Sequence, residues 1–319
     1  MTVYTSLAEI PADSAPSAVA IGKFDGVHVG HRAVIGSLIG HARGDALRAV
    51  VVTFDRNPLA LLAPERCPEE IVGLDQKIEL LAQSGVDDVV VLPFTAEFAA
   101  RSPDDFVSSV LVDALHARCV LVGADFRFGA RGAGTVDTLR SLGARSGFVV
   151  DVVADVSDGE GARTSSSAIR AALRAGEIDR AARMLGRPPR LRGRVVHGLK
   201  RGRELGYPTA NLAPRSDGFV PAEGVYAGWL VDHDALGAPR YPAAISIGVN
   251  PTFDDVSERQ VEAHVIDADL DLYGHLVDIE FAERIRGMVA YQGVDALIEQ
   301  MGHDVDDARR TTAAAESRE

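Results

Sequence analysis

Gly22-Lys23-Phe24-Asp25-Gly26-Val27-His28-Val29-Gly30-His31 decides the fold of the first half of this 319-residue chain. Before it stands Ala18–Gly22, a short apolar run of the kind that forms a strand buried on both faces. After it come Val34, Ile35, Leu38, Ile39 and Ala42, spaced to make one apolar face of a helix. The stretch is therefore a strand–turn–helix junction. The pattern continues with predicted strands at Arg48–Phe54, Asp88–Leu92, Val120–Gly123 and Phe148–Val153. Helical spacing at Leu74, Ile78 and Leu81 falls between them, as does a strong helix start at Ser102-Pro103-Asp104-Asp105. Strands alternating with helices predict a parallel, doubly wound α/β sheet.

The junction has the chemistry of an anion site. Ligands of such sheets bind at the carboxyl ends of the strands. Gly22, Gly26 and Gly30 let backbone approach a ligand, and the helix aims its N-terminal N–H groups at the same place. His28 and His31, three residues apart, can face one phosphate and donate hydrogen bonds to it. Phe24 and Asp25 belong to the same candidate phosphate-binding turn. An H-x-x-H pair alone would read as two ordinary histidines; the glycines and the strand–helix setting favour a site. The turn is not a P-loop, since G-x-x-x-x-G-K-[ST] is absent.

The alternation ends near Gly186-Arg187-Pro188-Pro189, which reads as a linker and predicts a boundary between domains 1–186 and 187–319. Two short helices, broken at Gly176, are predicted over Ser167 to Leu185. Beyond the linker, strand-like runs at Arg192–His197, Val225–Asp232, Ala243–Val249, Val261–Asp267 and Leu276–Phe281 predict a small antiparallel β-barrel. A helix over about Val294–Gly302 closes the chain, with the tail from Ala308 continuing or fraying. In this half, Gly198, Lys200, Gly202 and Gly206 lie in a basic glycine-rich loop suited to covering phosphates. Pro208-Thr209-Ala210-Asn211 follows, and the oxygens of Thr209 and Asn211 suit Mg²⁺ beside phosphates. Read alone, that motif is a proline turn leading into a strand.

A net charge of −13 argues against nonspecific binding to nucleic acid. No apolar run reaches the length of a membrane span, and the polar N-terminus lacks a signal-peptide pattern, so a cytoplasmic protein is expected. Cys67 and Cys119 are far apart and predict neither a disulfide framework nor a zinc site. The sequence carries no signal for an oligomeric state.

The string from Gly22 to His31 resembles the FMN adenylyltransferase domain of bacterial bifunctional riboflavin kinase/FAD synthetases. Thr53-Phe54-Asp55-Arg56-Asn57-Pro58, Gly123-Ala124-Asp125-Phe126-Arg127-Phe128-Gly129 and Thr164-Ser165-Ser166-Ser167-Ala168-Ile169-Arg170 are similar to further segments of that family. Arg56-Asn57 stands where the family more often has proline and histidine. The glycine-rich loop with P-T-A-N resembles the riboflavin kinase signature. Ser246-Ile247-Gly248-Val249-Asn250-Pro251-Thr252-Phe253 and Asp271-Leu272-Tyr273-Gly274 resemble family segments near the flavin site.

The resemblance implies two ATP-dependent steps, riboflavin to FMN in the second domain and FMN to FAD in the first, with Mg²⁺. It further implies ATP-phosphate contacts from Ser165, Ser166, Ser167 and Arg170, and flavin contacts from Asn57, Asp125 and Arg127. The nucleophile of the first step is a neutral hydroxyl, which calls for a carboxylate. Glu262 matches the family's catalytic glutamate and is favoured over Glu223 and Glu280. Each of these has a plainer reading: the serines as a helix cap, Asp125 as a turn carboxylate, Glu262 as a solvated strand residue. Two rivals are an adenylyltransferase for another mononucleotide, for which a kinase module would be superfluous, and a non-catalytic flavin-binding regulator, in which some of these residues should have been lost.

Overall fold

A computed structural model describes residues 1–154, 157, 163–198, 205–249, 259–289 and 291–317. Contacts divide the chain into two units. Met1–Glu70 with Leu74–Ser165 form one; Ile71–Gly73 with Ser166–Glu319 form the other.

The first unit holds a six-stranded parallel sheet in the order β1-β4-β3-β2-β5-β6. Its strands are β1 (Thr2–Tyr4), β2 (Ser17–Ile21), β3 (Arg48–Phe54), β4 (Asp88–Leu92), β5 (Ala117–Gly123) and β6 (Val149–Val153). Every residue of β2 and β4 is buried, as their unbroken apolar runs require. The helices are α1 (Val29–Gly44), α2 (Leu59–Leu62), α3 (Leu74–Gln83), α4 (Ala96–Ala99), α5 (Pro103–Phe106) and α6 (Val136–Ser146). Ser102 caps α5 as expected, its Oγ accepting from the Asp105 N–H at 3.0 Å, and the chain continues as π-helix over Val107–Ala114.

From β2 the chain steps outward through β3 to β4, then returns to the other side of β2 as β5. The order therefore reverses beside β2, and the loops leaving β2 and β5 flank the crevice where such a sheet binds ligands.

In the second unit, α7 (Ser166–Ala175) and α8 (Ile178–Leu185) meet at Gly176, whose φ of 74° is left-handed. Both pack with the barrel unit. The barrel is closed in the order β10-β11-β8-β7-β12-β9. Its strands are β7 (Arg190–Val196), β8 (Ala210–Leu212), β9 (Gly224–Asp232), β10 (Arg240–Val249), β11 (Arg259–Val265) and β12 (Leu276–Arg286). Tyr226 and Phe281 are buried with ring centroids 5.3 Å apart, and Trp229 is buried on the other face of β9. The last helix, α9 (Val294–Glu316), takes in the tail from Ala308, the continuing one of the two readings that the sequence leaves open. Arg286 holds it through Asp304 at 2.5 and 2.8 Å, and the Trp229 indole N–H donates to Glu316 at 3.0 Å.

Among the strands, β1 and β8, each three residues long, were not expected from sequence, and neither were the helices α2, α4 and α6. Among the described residues no helix is long and apolar enough to cross a membrane.

Candidate active sites

In the first unit, the turn after β2 is built on left-handed backbone. Phe24 has φ 48°, Gly26 83° and Val27 39°. Only glycine adopts this region at little cost, and a β-branched residue there is strained, so surrounding contacts must hold the turn. His28 caps α1. Its Nδ1 accepts the His31 backbone N–H at 3.3 Å, which leaves the neutral ring's proton on Nε2 as a donor. The two imidazoles stack with centroids 3.6 Å apart and planes 17° from parallel. A Cβ on Gly30 would stand 3.1 Å from the His28 ring, and one on Gly22 3.1 Å from the Phe24 ring. Phe24 is buried, its ring centroid 5.2 Å from that of His31, so its side chain packs against the histidine. Asp25 is half-buried beside them.

Asn57, after β3, accepts the Leu59 N–H at 3.1 Å in a local turn ahead of α2. Asp125 and Arg127 lie exposed on the loop after β5, and Arg163 donates to Asp125 at 3.2 Å. Asp55 is partly buried, which opposes its ionisation, but the Phe94 N–H at 2.8 Å and the Arg56 guanidinium outweigh burial and hold its carboxyl below the usual range. Ser165 ends the first unit. Ser166 and Ser167 open α7 as expected, and Arg170 is buried on that helix, all three within the second unit.

Sequence reasoning missed Lys77. It is nearly buried on α3, and its Nζ donates to the Phe54 carbonyl at 2.9 Å and reaches the Lys23 carbonyl at 3.5 Å. The signal was present: Leu74, Lys77, Ile78 and Leu81 share one helical stripe, so the lysine interrupts an apolar face.

In the second unit, one face of β11 meets P-T-A-N residue by residue. His264 Nδ1 lies 2.8 Å from the Pro208 carbonyl, Thr209 Oγ1 donates to Glu262 at 3.1 Å, and Gln260 donates to Asn211 Oδ1 at 2.9 Å. The period-two spacing of strand residues 260, 262 and 264 produces this, and the Glu262–Asn211 register fixes it. Asn211, buried, also donates to Thr209 Oγ1 at 3.2 Å.

Gly206 has φ 89°, a turn that glycine permits. Gly198 lies flat on the Asn211 carboxamide. Lys200 and Gly202 lie outside the described residues, as do Asn250-Pro251-Thr252-Phe253. Glu280 is tied to Arg240 at 2.9 Å, away from P-T-A-N, and Glu223 offers its carbonyl to Arg284. Beside Thr209 opens a shallow cleft lined by Val195, Ala210, Ala263, Val265 and Leu272, with Asp269 and Tyr273 among them.

Known proteins divide along the same lines. The FAD synthetase family matches residues 10–168 and the riboflavin kinase family residues 185–312. The bifunctional riboflavin kinase/FMN adenylyltransferase of Escherichia coli K12 is 37% identical over 91% of this chain and 90% of its own. That of Listeria monocytogenes is 36% identical over 93% of each. A crystal structure from Streptococcus pneumoniae, described as a macrolide-efflux protein, superposes with a TM-score of 0.85 at 32% identity over 97% of this chain and 98% of that one. The efflux description finds no counterpart in the families matched here. The chain thus belongs to the bifunctional riboflavin kinase/FMN adenylyltransferase family.

Proposed function

We propose that this chain makes FAD from riboflavin in two ATP-dependent steps. The barrel phosphorylates riboflavin to FMN, and the parallel-sheet domain transfers an adenylyl group from ATP to FMN, releasing pyrophosphate. The observation that carries this reading is the presence of both family halves in one chain, each with its reactive residues brought together.

In the kinase step a ribityl hydroxyl must lose its proton as it attacks the γ-phosphorus, whose bond to the bridging oxygen breaks to release ADP. Glu262 is the carboxylate for that proton. Thr209, already donating to it at 3.1 Å, keeps it oriented. Mg²⁺ fits beside it: Thr209 Oγ1 and Asn211 Oδ1 are hard oxygen donors, and Oδ1 keeps a second lone pair after accepting from Gln260. When bound, the ion would neutralise charge on the transferring phosphates.

Adenylyl transfer makes a different demand. The FMN phosphate is mostly dianionic at neutral pH and needs no strong base. The site must align it and stabilise charge on the α-phosphate and the departing pyrophosphate. The Nε2–H of His28, His31 and the amino end of α1 supply that charge stabilisation. Gly22, Asp25 and Gly30 line the same turn. Asn57, Asp125 and Arg127 are assigned to the flavin. Lys200 and Gly202, with Gly198 and Gly206, are assigned to the kinase phosphates. The division of labour falls at Gly186–Arg187, and the protein works in the cytoplasm.

Incubating the protein with ATP, Mg²⁺ and riboflavin and separating the products tests this. FMN appears first and FAD after it. A folded protein that forms neither refutes the proposal.

A further inference from the structure

Lys77 is a costly residue for its place. It sits on α3 with 9% of its surface exposed, among the buried Gln76, Leu80 and Leu81. Taking an ammonium out of water costs several kcal/mol, and an apolar side chain of similar volume is often neutral or better for stability. Burial pushes its pKa down, while the carboxylates of Glu70, Asp25 and Asp55 act to raise it. The ammonium is spent on two backbone carbonyls, Phe54 at 2.9 Å and Lys23 at 3.5 Å. The first ends β3. The second opens the turn that leaves β2. Thr53 Oγ1 donates to the same Lys23 carbonyl at 3.1 Å. Immediately after Lys23 comes the left-handed backbone of Phe24, Gly26 and Val27, and then the His28 cap. A turn with this much strain holds its shape only where neighbours fix it. Among its neighbours, Lys77 and Thr53 together anchor the point where it begins.

We propose that Lys77 is a positioning residue for adenylyl transfer: its ammonium clamps the backbone of Lys23 to that of Phe54, so that the strained turn presents His28 and His31 to the ATP phosphates. The inference rests on the function proposed above. A misplacement of about 1 Å costs on the order of 100-fold in such reactions, so the clamp has leverage without touching substrate.

The test uses the full chain carrying Lys77→Met, Lys77→Arg or Thr53→Val. Steady-state FMN-to-FAD conversion is measured with ATP and FMN varied separately, alongside riboflavin-to-FMN conversion and thermal unfolding of the same preparations. Lys77→Met raises KM for ATP about tenfold, the scale of one lost charged hydrogen bond. Its KM for FMN, its kinase activity and its melting temperature stay near wild type. Lys77→Arg restores KM for ATP to within about threefold, because its guanidinium still donates to carbonyls.

A smaller folded fraction lowers the apparent rate but leaves KM unchanged, so the KM shift separates positioning from structural support. An unchanged KM for ATP in Lys77→Met overturns the proposal, as does an arginine variant no better than methionine. Should Lys77→Met not fold, Thr53→Val decides: it removes the other donor to the Lys23 carbonyl without altering charge, and a KM for ATP unmoved from wild type sinks the clamp. Wild-type protein that forms no FAD from FMN refutes the proposed function itself, and the clamp with it.

Discussion

The α-carbon of Gly198 lies against the carboxamide of Asn211, so closely that a Cβ there would stand 2.5 Å from its Cγ and Oδ1. Asn211 is buried and bonded to Gln260 and Thr209, so it can yield to a Cβ only by breaking those bonds. Gly198→Ala therefore pushes the amide oxygen assigned to the metal off its place. Riboflavin phosphorylation falls about tenfold, equivalent to ~1.4 kcal/mol, while FMN-to-FAD conversion is unchanged. Separate assays of the two half-reactions check this.

Glu262→Ala removes the acceptor of the hydroxyl proton. Riboflavin-to-FMN turnover drops about 10²- to 10⁴-fold, the usual worth of a positioned base. FMN supplied directly is still converted to FAD. Product chromatography from each substrate gives the answer, and loss of both conversions would contradict independent sites.

The stacked pair predicts the reverse. His28→Ala with His31→Ala abolishes the α1 cap and both imidazole donors. FAD formation falls by about 100-fold or more, as for lost transition-state donors elsewhere. FMN accumulates from riboflavin at the wild-type rate.

The thiols should differ sharply. Cys119 is buried in β5, and burial, with Asp151 and Asp45 adding to it, pushes its thiol up to about 11. Cys67 is half-buried. With a chromogenic disulfide at neutral pH, the native protein releases one fast equivalent, from Cys67, and the second appears only on unfolding. Two fast equivalents would place Cys119 within reach of solvent.

Asp278 sets an acid limit on the barrel. Burial opposes its charge, but Arg192, bonded at 2.7 and 2.9 Å, outweighs that with help from Arg190 and His233 and holds the carboxyl below its ordinary value. Its stabilisation is complete above the unfolded value of about 4 and is lost as pH falls through the lower folded value. Asp278→Asn withdraws the carboxylate facing a buried guanidinium and costs about 3 kcal/mol at neutral pH. The variant then shows less further loss in acid than wild type. Urea unfolding followed across that range measures both effects.

Much of this architecture was legible because long apolar runs leave little choice. Arg48–Phe54 and Asp88–Leu92 form strands with the predicted bounds. The three-residue β8 was hidden inside a proline turn, and its pairing with β11 on one side and β7 on the other makes it a strand. The length of α9 was left open for another reason. Its buried face carries Asp304, Ala308 and Thr312, so an ion pair with Arg286 does work that hydropathy does not register. At the sites, motif residues stood out because glycines and histidines flanked them. Gln260 and His264 did not, although their spacing around Glu262 on one strand face was open to view. They act on side chains brought together only by the barrel's closure.

The two helices that follow Ser165 bear on how the chain can be taken apart. Ile169, Leu173, Ile178, Met184 and Leu185 are each at most 2% exposed. The ridge they form belongs to the barrel unit: the Leu173 carbonyl accepts the Ala222 N–H at 3.0 Å, and α8 lies against β12. A fragment stopping at Gly186 keeps the serine run but lays that greasy ridge open to water, inviting self-association. A fragment stopping at Ser165 omits that ridge yet forfeits Ser166, Ser167 and Arg170. Two reactions that separate cleanly on paper therefore share a seam in the polypeptide, and a stand-alone adenylyltransferase cut from this gene would need its new surface redesigned as well as a stop codon.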